Sequence, residues 1–105
     1  MSLEKLLKGL IKEKPKAQAE LYTLYSRTLF GVSLKYSRNY EEAEDNLQDA
    51  FLTIFKKIQQ YKGKGSFEGW LKRIVINTAL QRYRKEPGFE IVNEQQIEQE
   101  EVTVD

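Results

Sequence analysis

Apolar residues recur along this chain at helical rather than strand spacing. Leu3, Leu6, Leu7, Leu10 and Ile11 fall at i, i+3, i+4, i+7 and i+8, which places them on one side of a short helix with Ser2 as its cap. Pro15 suits the first turn of a second helix, where its missing N–H costs nothing. Ala17, Leu21, Leu24, Tyr25, Thr28, Leu29, Val32 and Tyr36 extend a helical stripe to about Tyr36. Ser37, Arg38 and Asn39 read as a turn. Glu41, Glu42, Glu44 and Asp45 then crowd the start of a third helix, where negative charge complements the macrodipole, and this helix is predicted to end near Gln60. The stretch from Tyr61 to Ser66 holds two glycines and no periodicity, so it is a loop, with Ser66 the cap of a fourth helix from Phe67 to about Lys85, before Pro87 and Gly88. No segment alternates strictly as a half-buried strand would, and no repeat is visible. The predicted fold is all-α, a compact bundle of about four helices over residues 1–86, followed by an acidic, weakly ordered C-terminal tail over 87–105.

A chain of 105 residues suffices for one such core. It contains no Cys and no His, which removes disulfides, thiolate metal sites, the commonest general base and the commonest metal ligand. Catalytic residues, a metal and a cofactor are therefore not expected. A hydrolase would need Glu41, Glu42, Glu44 or Asp45 to converge on a metal, and a carboxylate run at a helix start is more simply a solvated, dipole-matched face. The absence of a long apolar run argues against a membrane span or signal segment, and the expected location is the cytoplasm.

The net charge of +1 conceals an uneven distribution. Residues 1–50 sum to 0, residues 51–86 to +7 and residues 87–105 to −6. A concentrated basic third suits a polyanion partner through counterion release, or else is a solvated helical face.

Stepping about 100° per residue puts Ala43, Leu47, Ala50, Phe51, Ile54 and Ile58 on the inner arc of the third helix, with Asp45, Gln48, Asp49, Leu52 and Lys56 outside. Leu52 amid acids and an amide is either a small protein-binding patch or an isolated exposed leucine of no consequence. On the fourth helix Phe67, Trp70, Leu71, Ile74, Val75 and Thr78 project inward. Lys72, Arg73, Ile76, Asn77, Leu80, Tyr83 and Arg84 project outward. That outer face mixes cations, an amide and apolar groups with almost no acid, a composition suited to phosphates, base edges and unstacked bases. The loop Gly63, Lys64, Gly65, Ser66 could grip phosphate, shape a pocket for a base, or merely connect; the P-loop pattern is not met.

These strings resemble region two of the extracytoplasmic-function sigma factors, initiation subunits of bacterial RNA polymerase. The resemblance runs from about Leu21 to Lys85. It is carried by Ala43-Glu44-Asp45-Asn46-Leu47-Gln48-Asp49-Ala50-Phe51-Leu52, by Tyr61 with its loop, and by Phe67-Glu68-Gly69-Trp70-Leu71-Lys72-Arg73-Ile74-Val75-Ile76-Asn77-Thr78-Ala79. It implies a sigma region 2-like bundle. It further implies that Asp45, Gln48, Asp49 and Leu52 bind core RNA polymerase at the clamp coiled coil of the largest subunit. Gly63, Lys64, Gly65 and Ser66 would then shape a pocket for a base flipped from the promoter minus-ten element. Lys72, Arg73, Ile76, Asn77, Leu80 and Arg84 would line the path of the melted non-template strand. Binding unstacked bases better than duplex offsets the cost of melting, and no covalent chemistry is needed. An anti-sigma factor is a further implied partner, and no membrane is.

Two features depart from the family pattern. Gln81 stands where an acid often follows the helix-four asparagine, and nothing after Pro87 resembles the helix-turn-helix domain that reads the minus-thirty-five element. The expectation is a piece of a longer protein ending in an interdomain linker, rather than a degenerate single-domain member. The acidic tail could also fold back on the basic fourth helix. The alternative function is a helical protein-interaction module, an adaptor or an anti-sigma-bound domain, that binds no DNA.

Overall fold

The computed structural model describes residues 2–83. The expectations for Arg84, for the acidic tail and for the boundary near Pro87 lie outside the described residues. Four α-helices, α1 (Leu3–Ile11), α2 (Pro15–Lys35), α3 (Tyr40–Lys57) and α4 (Phe67–Tyr83), form the all-α bundle that the periodicity predicts, and there is no strand among the described residues.

The helix starts are set by short polar side chains at the positions expected. Ser2 Oγ accepts from the Lys5 N–H at 3.3 Å, and Pro15 opens α2. Ser66 Oγ accepts from the Gly69 N–H at 2.7 Å at the head of α4. Asn39, inside the predicted turn, proves to be the cap of α3, its Oδ1 accepting from the Glu42 N–H at 2.8 Å. The end of α3 tightens into one 3₁₀ turn, Ile58–Gln60, so the predicted terminus near Gln60 is met with a change of pitch.

Helix α1 closes in a Schellman motif. The Glu13 N–H donates to the Leu10 carbonyl at 3.0 Å and the Lys14 N–H to the Gly9 carbonyl at 3.0 Å. The motif requires a left-handed residue, and Glu13 supplies it at φ 56° where glycine would be unstrained. Replacing Glu13 by Gly is expected to raise stability by about 0.5–1 kcal/mol, relief of strain outweighing the entropy gained by the unfolded chain. A urea midpoint unchanged or lowered in Glu13→Gly would contradict that account.

The core is one cluster to which every helix contributes, with Leu21, Leu29, Ile54 and Leu71 fully excluded from solvent. Burying each such side chain stabilises the fold by about 1.5–3 kcal/mol. The i, i+4 ridge Ala17, Leu21, Tyr25, Leu29, Ser33 turns α2 towards the bundle, all but the half-buried Tyr25 being buried. Leu24 and Thr28 belonged to the predicted stripe. They lie off this ridge and are exposed, Leu24 at 53%. Ser33, unmarked by any apolar pattern, is buried because its hydroxyl donates to the Ala43 carbonyl at 2.8 Å and so fastens α2 to α3. The predicted inner arc of α3 is buried throughout.

Helix α4 shows the main difference from the projection. Phe67, Leu71 and Val75 are buried as predicted, whereas Ile74 and Thr78 are only half-buried and Ile76 and Ala79 are sealed in the interior. A ridge built on steps of four residues drifts about 40° per step around the helix. Because α4 packs against both α2 and α3, its inward face therefore rotates along its length. Ile76, placed on the strand path by the resemblance, is 1% exposed and belongs to the core.

Candidate functional site

Two separate surfaces gather the predicted functional side chains. Asp45, Gln48, Asp49 and Leu52 share the outer face of α3; all four are exposed, Leu52 at 61%. Three features of this ridge escape the sequence patterns. A cavity of about 340 Å³ opens between α2 and α3, with Tyr22, Arg27, Tyr40, Glu44 and Gln48 in its lining. Tyr22 and Tyr40 are large exposed groups beside it, each held by a buried or half-buried ring, Tyr22 on Phe51 at 5.0 Å and Tyr40 on Phe30 at 4.9 Å. The signal that could have found them is an aromatic on the polar side of each helix. Asp49, finally, carries a cation of the same chain, its Oδ2 lying 3.6 Å from Arg82 Nη2.

The second surface is built from the loop and α4. Gly63 at φ 80° and Gly65 at φ 74° take left-handed conformations that only glycine adopts without strain. Tyr61 Oη donates to the Gly65 carbonyl at 2.7 Å and pins the loop from below. Its ring stands 5.2 Å from Phe67 and 5.7 Å from Trp70, while Phe67 and Trp70 lie nearly parallel at 5.9 Å. This aromatic wedge fixes the loop to the head of α4, so Trp70 is a packing residue, as the projection indicates. Gly63, Lys64, Gly65 and Ser66 are all exposed above it. Lys72, Arg73, Asn77 and Leu80 are half-buried on α4, and Lys72 Nζ lies 3.4 Å from Glu68 Oε2 one turn back. Of the predicted set, Ile76 is the one described residue that the surface does not include.

A polar clamp joins the start of α3 to the end of α4, and the sequence reading did not find it. Glu42 completes a capping box displaced by one residue, since its Oε2 accepts from the backbone N–H of Arg38 at 2.7 Å rather than from that of Asn39. The Arg38 guanidinium donates to Oε1 at 2.9 and 3.2 Å, and the Tyr83 hydroxyl donates to Oε2 at 2.9 Å. The Arg38 N–H and then its guanidinium, with smaller help from Tyr83, hold the Glu42 carboxyl down at about 2 against the opposing effect of burial. Alongside, the fully buried Asn46 donates to Ser37 Oγ at 2.8 Å and accepts from Arg82 Nε at 2.7 Å. Tyr83 is thus tied to α3, not free on the outer face. Among the described residues no group of three or more carboxylates is placed to hold a metal ion, and no helix is long and apolar enough to cross a membrane.

Comparison with known proteins identifies the family. The sigma-70 region 2 profile matches residues 21–87. The chain is 35% identical over 66 residues to the ECF RNA polymerase sigma factor SigE of Mycolicibacterium smegmatis, covering 63% of this chain and 25% of that protein. It is 30% identical over 74 residues to the RNA polymerase sigma-H factor of Pseudomonas aeruginosa, covering 67% and 38%. With the ECF RNA polymerase sigma factor SigW of Bacillus subtilis it shares 29% over 85 residues, covering 81% and 46%. The chain therefore spans less than half the length of each of these relatives. Since the match runs unbroken from within α2 past the end of α4, the chain belongs to the sigma-70 region 2 family, in its extracytoplasmic-function branch.

Proposed function

We propose that this domain acts in transcription initiation in the cytoplasm, binding core RNA polymerase through α3 and holding the melted minus-ten element through the loop and α4. The observation that carries the reading is Leu52, a large aliphatic side chain left 61% exposed and bordered by Asp45, Gln48 and Asp49. An apolar centre bordered by two acids and an amide fits a basic, ridged partner such as the clamp coiled coil of the largest subunit. The exposed glycine-lysine loop above its aromatic wedge offers room for one extruded base, and Lys64, Lys72 and Arg73 offer phosphate contacts with Asn77 and Leu80 between them. Ile76 acts from the core, by supporting that face. The relatives named as RNA polymerase sigma factors support the assignment. The mechanism is capture of an open strand and calls for no covalent step.

The test is capture of core RNA polymerase by the full chain, with binding of single-stranded oligonucleotides measured in parallel. Leu52→Asp is expected to lower core capture by at least tenfold while leaving oligonucleotide binding intact. Lys72→Ala with Arg73→Ala should do the reverse and flatten the salt dependence of oligonucleotide binding. Undiminished capture by Leu52→Asp would refute the docking surface. Absence of any oligonucleotide binding by the unaltered chain would favour a protein-interaction module instead.

A further inference from the structure

Five lysines, Lys5, Lys8, Lys12, Lys14 and Lys16, surround a recess of about 220 Å³ at the corner between α1 and α2. Its floor is Gly9 and Ala17, which approach so closely that a Cβ on Gly9 would come within 2.7 Å of the Ala17 methyl. All five lysines are exposed and, among the described residues, none forms an ion pair, although Glu4 and Glu13 lie in the same stretch of chain. The cations of α4 are placed differently: Lys72 faces Glu68, and Arg82 faces Asp49 and Asn46. Five unneutralised like charges around an apolar floor make a site for a ligand that is both anionic and aliphatic. Bare phosphate would use the charge and leave the floor uncovered.

The chain contains a segment of that chemistry. Residues 90–105 carry Glu90, Glu94, Glu98, Glu100, Glu101 and Asp105 with no Lys or Arg, interleaved with Ile91, Val92, Ile97, Val102 and Val104. Its residues lie 7 to 22 positions beyond Tyr83, a reach of roughly 23 to 70 Å when extended, against a longest molecular dimension of 43 Å. Tethering also makes the encounter intramolecular, at an effective concentration on the order of millimolar. We propose that the lysine recess between α1 and α2 is the docking site for residues 90–105 of this same chain. The segment then sits away from α4, where local acceptors already meet Lys72 and Arg82. This inference does not depend on the function proposed above.

Carbodiimide coupling of the 105-residue chain at low ionic strength tests it, since each link joins a tail carboxyl to a lysine amine as an amide, the carbodiimide taking up the water lost. Peptide mapping of monomeric product should place most tail links on Lys5, Lys8, Lys12, Lys14 and Lys16, with at least a fivefold fall in 0.5 M salt, where screening shortens to a few ångströms. Lys8→Gln, Lys12→Gln and Lys16→Gln together should also reduce links to the two remaining corner lysines, because the segment has lost its hold. The backbone amide resonances of Gly9 and Ala17 should move over the same salt range. Links mainly to Lys62, Lys64 or Lys72, links only between chains, or no tail links at all would overturn the proposal. So would protection of the five lysines by an oligonucleotide with the tail uncoupled, which would make the corner a nucleic-acid surface.

Discussion

Phe67→Ala is expected to destabilise the domain by about 3–5 kcal/mol, a large part of the roughly 5–15 kcal/mol that holds a domain of this size together. Phe67 is 4% exposed and meets Tyr25 edge-on at 5.8 Å as well as Tyr61 and Trp70, so its removal leaves a hole between α2, the loop and α4. The loss is functional as well as energetic, because the wedge is what seats the loop. Amide exchange at Gly63, Lys64 and Gly65 should accelerate in the variant under conditions where the rest of the bundle remains protected. Phe67→Leu, which keeps most of the volume, should cost less than half as much. Urea unfolding of the three proteins measures the series. A cost below 1 kcal/mol for Phe67→Ala would show that the loop is anchored elsewhere.

The second large effect concerns acid. Glu42 has a folded pKa of about 2 against an ordinary value of 4.5, so its contribution is complete above about 4.5 and is lost as the pH falls towards 2. A depression of that size corresponds to about 3 kcal/mol as an upper bound. Arg38, its principal partner, has a side chain 58% exposed, and solvent screening reduces the figure to about 2 kcal/mol. Glu42→Gln should therefore be about 2 kcal/mol less stable than the unaltered chain at pH 7, and the difference should close between pH 4.5 and 2. Parallel stability curves for the two proteins across that window would show that the clamp does not act through the carboxylate charge.

Helix existence and most helix starts are legible in the sequence because they rest on local chemistry. Ser2, Pro15 and Ser66 act within one turn of their own positions, and the inner arc of α3 follows from a regular period facing neighbours on one side. What the sequence conceals is tertiary. The inward face of α4 rotates because two helices share it, so a straight projection leaves Ile76 outside and brings Thr78 inside. Asn46 looks like any polar helix residue until Ser37 and Arg82, nine and 36 positions away, arrive to satisfy it. The lysine recess is masked by arithmetic: the first fifty residues sum to zero charge, while five of their eight cations lie between positions 5 and 16. Of the proposed interfaces, the exposure of Asp45, Gln48, Asp49 and Leu52 on α3 is readable from spacing, whereas the cavity, the aromatic rim and the Asp49–Arg82 pair beside them are not.

The aromatic wedge has a practical consequence. The chain has a single tryptophan, and it stands half-buried 5.7 Å from the ring whose hydroxyl holds the Gly65 carbonyl. Its indole emission is therefore a built-in optical gauge of the loop, readable without any attached dye. Whatever lifts Tyr61 from its seat, whether ligand, denaturant or substitution, alters the surroundings of that one indole.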